Sequence, residues 1–163
     1  MTAPKLIIDI QGLSTVFKTP TKEFVVHREL SLQVEKGQVL SLVGGSGTGK
    51  TVLLRQMLGL EVPTKGKITV LGEPVTQGAV KGAASRVGML FQHGALFSAF
   101  SVLENIAFPL RELQTLPQKL ITDAAMVKLQ MVGLKPEDAA KMPADLSGGM
   151  IKRVALARAL IMD

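Results

Sequence analysis

At 163 residues, with 47% hydrophobic and only 20% charged residues, the chain is long enough to bury one core and too apolar to be disordered. It contains no cysteine, which excludes disulfides, a thiolate zinc site and thiol catalysis, and it has neither a membrane-length apolar run nor the pattern of a secretory signal. The net charge of +6 and pI near 9.8 invite an anionic partner, but Lys and Arg are scattered and aromatics make up 4%, with neither Trp nor Tyr. No basic stripe interleaves with stacking residues, so nucleic acid is not an expected partner.

In chain order, the first 43 residues read as short strands. Leu6 to Ile10, Thr15 to Phe17, Glu23 to Val26 and Leu30 to Val34 are β-branched or alternating, separated by Gly12, Thr19-Pro20-Thr21 and Lys36-Gly37, and suggest an antiparallel section. Val39 to Val43 is a near-continuous apolar run, the pattern of a strand buried on both faces of a sheet. A helix is expected from about Gly49 to Leu58, stopped by Gly59. Gly66 to Leu71 and Val87 to Phe91 are further strand candidates, joined by a loose Gly- and Ala-containing connection. Beyond them the pattern turns helical. Ser101 can cap Val102 to Phe108, Pro117 opens a helix to about Val132 before Gly133, and Ser147 caps a last helix through Ile161 that returns toward the sheet.

The segment Gly44, Gly45, Ser46, Gly47, Thr48, Gly49, Lys50, Thr51 fits the phosphate-loop pattern, with Val52 opening the following helix. Taking several negative charges out of water requires many donors and no obstructing side chain. The glycines let backbone N–H groups close around phosphates, and the helix adds the positive end of its dipole. Lys50 then meets the β- and γ-phosphates, and the Thr51 hydroxyl ligates Mg2+, so the ligand expected is ATP with magnesium. A Gly-rich turn that happens to contain Lys-Thr is the bland alternative; a strand before it and a helix after it argue against that reading. Ser147, Gly148, Gly149 and Met150 form a second unobstructed helix start, which alone would be read as an ordinary serine cap.

The strand, phosphate loop and helix, the isolated Gln92 after an apolar stretch, and Leu-Ser-Gly-Gly-Met followed by Ile-Lys-Arg-Val-Ala-Leu-Ala-Arg-Ala-Leu together resemble the nucleotide-binding subunit of an ABC transporter across the whole chain. The resemblance implies an α/β P-loop NTPase: a RecA-like core with an antiparallel β subdomain and a helical insertion, C-terminally incomplete. It divides the chain into residues 1–91 for the β subdomain and core, 92–145 for the helical subdomain and 146–163 for the signature helix. By position, Gln92 resembles the glutamine that senses Mg2+ and the γ-phosphate, and Ser147 to Met150 resemble the signature that covers ATP held by the loop of a second subunit in a head-to-tail dimer. The family stacks adenine on an aromatic, often tyrosine. Phe17 fits that place better than Phe24, although it could equally be a core residue.

Met150, where glutamine is commonest, together with the stretches Met89 to Phe97 and Asn105 to Glu112, resembles the ATPases of Mla/Mce-type phospholipid transport. That implies transmembrane permease subunits and an Mce-domain lipid-binding protein as partners, and a place at the cytoplasmic face of the inner membrane. An ATPase of an amino-acid or ion importer shares most of the pattern. A non-catalytic nucleotide-binding fragment is the other alternative. A soluble repair or translation ATPase of the same class would show a second cassette, and no internal duplication is visible. In the family the magnesium-binding aspartate and the base arrive on a strand ending Asp-Glu after the signature helix, followed by a histidine. Neither His27, His93 nor Asp163 occupies those places. The expectation is a truncated chain of poor solubility that binds ATP without turning it over.

Overall fold

The computed structural model describes residues 5–77 and 87–162. The chain separates into two compact units, residues 1–86 and 87–163. The expected Gly- and Ala-containing connection falls largely on residues 78–86, and Asp163 ends the chain; both lie outside the described residues.

In the first unit, a four-stranded antiparallel sheet runs in the order β2-β1-β3-β4, with β1 Leu6–Lys18, β2 Glu23–Glu35, β3 Lys65–Val70 and β4 Glu73–Pro74. The four short strands expected in this region are two long ones. Gly12 and the stretch between Val26 and Leu30 bend a continuous ladder instead of ending it: register shifts follow Ile10, Leu13 and Thr15. A bulge keeps most ladder bonds while increasing twist, which costs less than breaking the strand. Ile10, Leu13, Ile68 and Val70 on the sheet and Leu53 of helix α1 (Lys50–Met57) form the buried core. Each such side chain contributes about 1.5–3 kcal/mol on leaving water.

Val39 to Val43 does not form the strand its apolar run suggested. It lies outside any ladder, with Val39 92% and Val43 94% exposed. A strand buried on both faces needs neighbours on each side, and no described strand pairs with it. Val87 to Phe91 is likewise unpaired among the described residues.

The second unit is helical: α2 Val102–Leu113, α3 Gln118–Met131 and α4 Gly148–Ala159, with two short 3-10 turns at Pro136–Ala140 and Pro143–Asp145. Val102, Ile106 and Leu110 on α2 and Ile121, Ala125 and Leu129 on α3 recur every fourth residue, and these stripes close against Val154 and Ala157 of α4. Helix α2 passes through Pro109 and ends five residues beyond the expected Phe108. Its buried stripe continues to Leu110, and that packing outweighs one lost helical bond.

The start of α2 is a complete capping box. The Ser101 hydroxyl accepts from the Glu104 N–H at 3.3 Å, and the Glu104 carboxylate accepts from the Ser101 N–H at 2.8 Å. The Ser101 N–H, then its hydroxyl, hold the Glu104 carboxyl below its ordinary value of 4.5. A lowered folded pKa means a contribution fully present above the unfolded value and lost as pH falls through the folded one. The second unit should therefore melt at lower temperature as pH drops below about 4.5, and Glu104→Gln should reduce that dependence; thermal melts at pH 3 to 7 measure both.

Candidate functional site: a phosphate loop and a signature helix

Gly44 to Gly49 forms an irregular loop into α1, whose N-cap is Gly49 at φ 89° and ψ 2°. No side chain caps this helix, and its first turn holds no acidic residue, which leaves the N–H groups of Lys50, Thr51 and Val52 ahead of the first helical bond, from the Leu53 N–H to the Gly49 carbonyl at 2.9 Å. At Gly49 a side chain is disfavoured on two counts. The backbone is left-handed, and a Cβ would run into Val26 and lie 2.7 Å from His27 Nε2. Gly45 and Gly47, by contrast, face open space, with no atom within 4 Å of a Cβ. The loop is thus packed underneath and open above, the shape needed to admit a bulky anion.

Lys50 Nζ donates to the carbonyls of Gly44 at 2.7 Å and Gly45 at 2.6 Å and approaches Thr48 Oγ1 at 3.3 Å. Thr48 Oγ1 also donates to the Gly45 carbonyl at 3.0 Å. The ammonium therefore stands inside the curve of the loop. Ser46 and Thr51 are exposed on its rim.

Beneath the loop lie residues that sequence reasoning passed over. His27 is buried, with Nε2 3.2 Å from the Gly49 carbonyl and Nδ1 3.1 Å from Thr15 Oγ1; Gln56 Nε2 donates to the same hydroxyl at 3.0 Å. The available signal was a histidine between two strand segments and a glutamine on the apolar face of α1.

In the second unit, Ser147 is the N-cap of α4, its hydroxyl accepting from the Met150 N–H at 3.3 Å. Gly148 meets nothing within 4 Å and Gly149 only the Ser147 hydroxyl, so this helix start is bare and exposed. Gln92 is an exposed corner of the turn Phe91 to Gly94, closed by the Gly94 N–H on the Phe91 carbonyl at 2.9 Å. The turn is seated on α4. Gly94, at φ 78°, approaches Ile151 so closely that a Cβ would lie 2.7 Å from Cγ2. Arg158 of α4 donates to the Gly94 carbonyl at 2.6 Å and the Ala95 carbonyl at 2.8 Å, its guanidinium 5.9 Å from the centre of the Phe97 ring. Burial lowers the Arg158 pKa from its ordinary value, and the two carbonyls compensate the charge. Arg158→Leu should cost about 1–3 kcal/mol in denaturant unfolding, because the buried Gly94 carbonyl loses its charged donor and the part-buried Ala95 carbonyl loses one with it.

The structure thus brings Gln92 and Ser147 to Met150 onto one helical unit, and Gly44 to Val52 onto the other. Phe17 sits at the turn end of the hairpin, paired in register with Phe24; at 39% and 51% exposed, neither is a core residue. Among the described residues no cluster of three His, Asp or Glu side chains could hold a metal ion.

Residues 27–163 match the sequence profile of the ABC transporter family. The intermembrane phospholipid transport system ATP-binding protein MlaF of Haemophilus influenzae is 44% identical over 160 residues, covering 96% of this chain and 59% of that protein. MlaF of Escherichia coli K12 is 44% identical over 142 residues, covering 85% and 52%. A probable ribonucleotide transport ATP-binding protein of Mycobacterium leprae is 39% identical over 159 residues, covering 96% and 44%. The chain therefore spans roughly half the length of these relatives. A dimeric ATP-binding cassette solved after hydrolysis with ADP and phosphate bound superposes with a TM-score of 0.82 at 25% identity, covering 94% of this chain and 69% of that one. The fold agrees with these likenesses, and the chain belongs to the ABC transporter family.

Proposed function

We propose that this chain is the ATP-binding part of an ABC transporter subunit that couples ATP binding and hydrolysis to phospholipid transport. The observation that carries the ATP part is the loop itself: an uncapped helix start, open glycines and the Lys50 ammonium converge on one concavity. In this reading Lys50 and the N–H groups of Gly45 to Val52 bind the phosphates, Thr51 and Gln92 hold Mg2+, and Phe17 lies against the adenine. The bare start of α4 at Ser147 to Met150 suits the phosphates of a nucleotide on a second copy, which makes the working form a head-to-tail dimer. A solved cassette of similar fold is dimeric with ADP and phosphate bound, which supports a dimer as the working form.

The lipid part rests on the two MlaF relatives, each 44% identical. With it come permease subunits, an Mce-domain partner and a place at the cytoplasmic face of the inner membrane. No described helix is long and apolar enough to cross a membrane, in keeping with a subunit that docks on permeases. The test is phospholipid transfer by a transporter assembled with this subunit. Transfer that requires ATP and stops with Lys50→Ala supports the proposal; an assembled transporter that moves an amino acid, an ion or a ribonucleotide and leaves lipid in place refutes the cargo. The 163-residue chain alone is expected to show no turnover, since its sequence contains no Asp-Glu pair to hold magnesium and orient the attacking water. Lys50-dependent phosphate release by the purified chain would contradict that.

A further inference from the structure

Three buried polar side chains lie under the phosphate loop: Gln56 is 0%, Thr15 2% and His27 6% exposed. Apolar residues of similar size would fill the same space without any desolvation cost. What the polar trio adds is direction. The Gly49 carbonyl can only accept, so His27 Nε2, 3.2 Å away, carries the hydrogen. In the neutral ring Nδ1 then accepts, and Thr15 Oγ1, 3.1 Å away, donates to it. The Thr15 oxygen in turn accepts from Gln56 Nε2 at 3.0 Å. Gln56 Oε1 also lies within reach of the Thr15 hydroxyl, at 3.4 Å, but with the single hydroxyl proton on the shorter bond to Nδ1 the polarity runs one way, from Gln56 through Thr15 and His27 to the last carbonyl of the loop.

That carbonyl also accepts from the Leu53 N–H at 2.9 Å, so two donors hold it from two directions. A trans peptide is planar, and its N–H points opposite to its C=O. Holding the Gly49 carbonyl down toward His27 therefore turns the Lys50 N–H up, away from the core, and sets the root of the Lys50 side chain. The sheet is built to place the ring there. Thr15 and His27 are register partners between two irregularities of the β1–β2 ladder, and Glu29, just beyond, takes φ 47°, a conformation unfavourable for a residue with a side chain.

We propose that His27 is a positioning residue of the phosphate loop: its Nε2–H clamps the Gly49 carbonyl, with Thr15 and Gln56 fixing the ring, so that the Lys50 N–H is held ready for a nucleotide's phosphate. This rests on the reading of Gly44 to Thr51 as a nucleotide site. Gln can place a donor where Nε2 stands, and Asn can reach only the place of Nδ1. His27→Asn should weaken Mg-ATP binding about tenfold, the loss of one oriented donor, and His27→Gln should restore it to within about threefold of wild type. Calorimetric titration of Mg-ATP into each purified protein, with thermal midpoints in the absence of nucleotide, measures this. Affinity equal to wild type in both variants, or an equal loss in both, overturns the proposal, as does a loss that merely follows the thermal midpoint. Should His27→Asn fail to fold, Thr15→Val replaces it: a weakening of about threefold is expected, and no change overturns the clamp. Wild-type protein that fails to bind Mg-ATP refutes the nucleotide site itself, a result distinguishable from binding that is insensitive to His27.

Discussion

Lys50→Ala is expected to weaken Mg-ATP binding about a hundredfold while leaving the fold in place. The ammonium donates to the Gly44 and Gly45 carbonyls and is not part of either hydrophobic core, so its removal costs the folded chain little. A triphosphate arriving in the same concavity exchanges those neutral carbonyls for charged oxygens, and a charge-assisted hydrogen bond contributes about 1.5–3 kcal/mol. At about 1.4 kcal/mol for each factor of ten, one or two such bonds give the stated loss. Calorimetric titration gives the affinity, and a denaturant melt of the same sample separates a binding defect from unfolding.

Gly49→Ala should do damage of another kind. The left-handed backbone at φ 89° already costs a residue with a Cβ about 1–2 kcal/mol. The new methyl would also occupy the space of Val26 and His27 beneath the loop. Overpacking of this sort adds about 1–3 kcal/mol, so the first unit should lose about 3–4 kcal/mol and bind no Mg-ATP in the millimolar range. Gly45→Ala, whose Cβ faces open space, is the contrast: it should fold normally and lose affinity only because the methyl intrudes on the phosphates. A denaturant melt of the two variants side by side checks the difference.

The elements that sequence described best are those whose signals are local. The cap at Ser101, the stop at Gly133 with φ 74°, the cap at Ser147 and the start of α1 after Gly49 each depend on a few adjacent residues, and each stands where its pattern placed it. Val39 to Val43 shows the limit. An apolar run states that a segment could be buried but not that a neighbour is there to bury it, and no described strand pairs with this one. The two long hairpin strands look like four in the sequence because a bulge and a strand end use the same residues, Gly12 and its surroundings. The loop's pattern names each of its residues, since phosphate chemistry constrains type and spacing together. Its support was not. His27, Thr15 and Gln56 are 12 and 41 residues apart along the chain, and only the folded sheet brings them under Gly49.

The central claim, that Gly44 to Thr51 cradles the phosphates of a nucleotide, is tested most directly by amide NMR spectra recorded with Mg-ATP and, separately, with adenosine. The geometry predicts large shifts of the Gly45 to Val52 amides with Mg-ATP, absent with adenosine and absent in Lys50→Ala. Shifts of equal size with adenosine, or no response from the Gly47, Gly49 and Lys50 amides at saturating Mg-ATP, would contradict it.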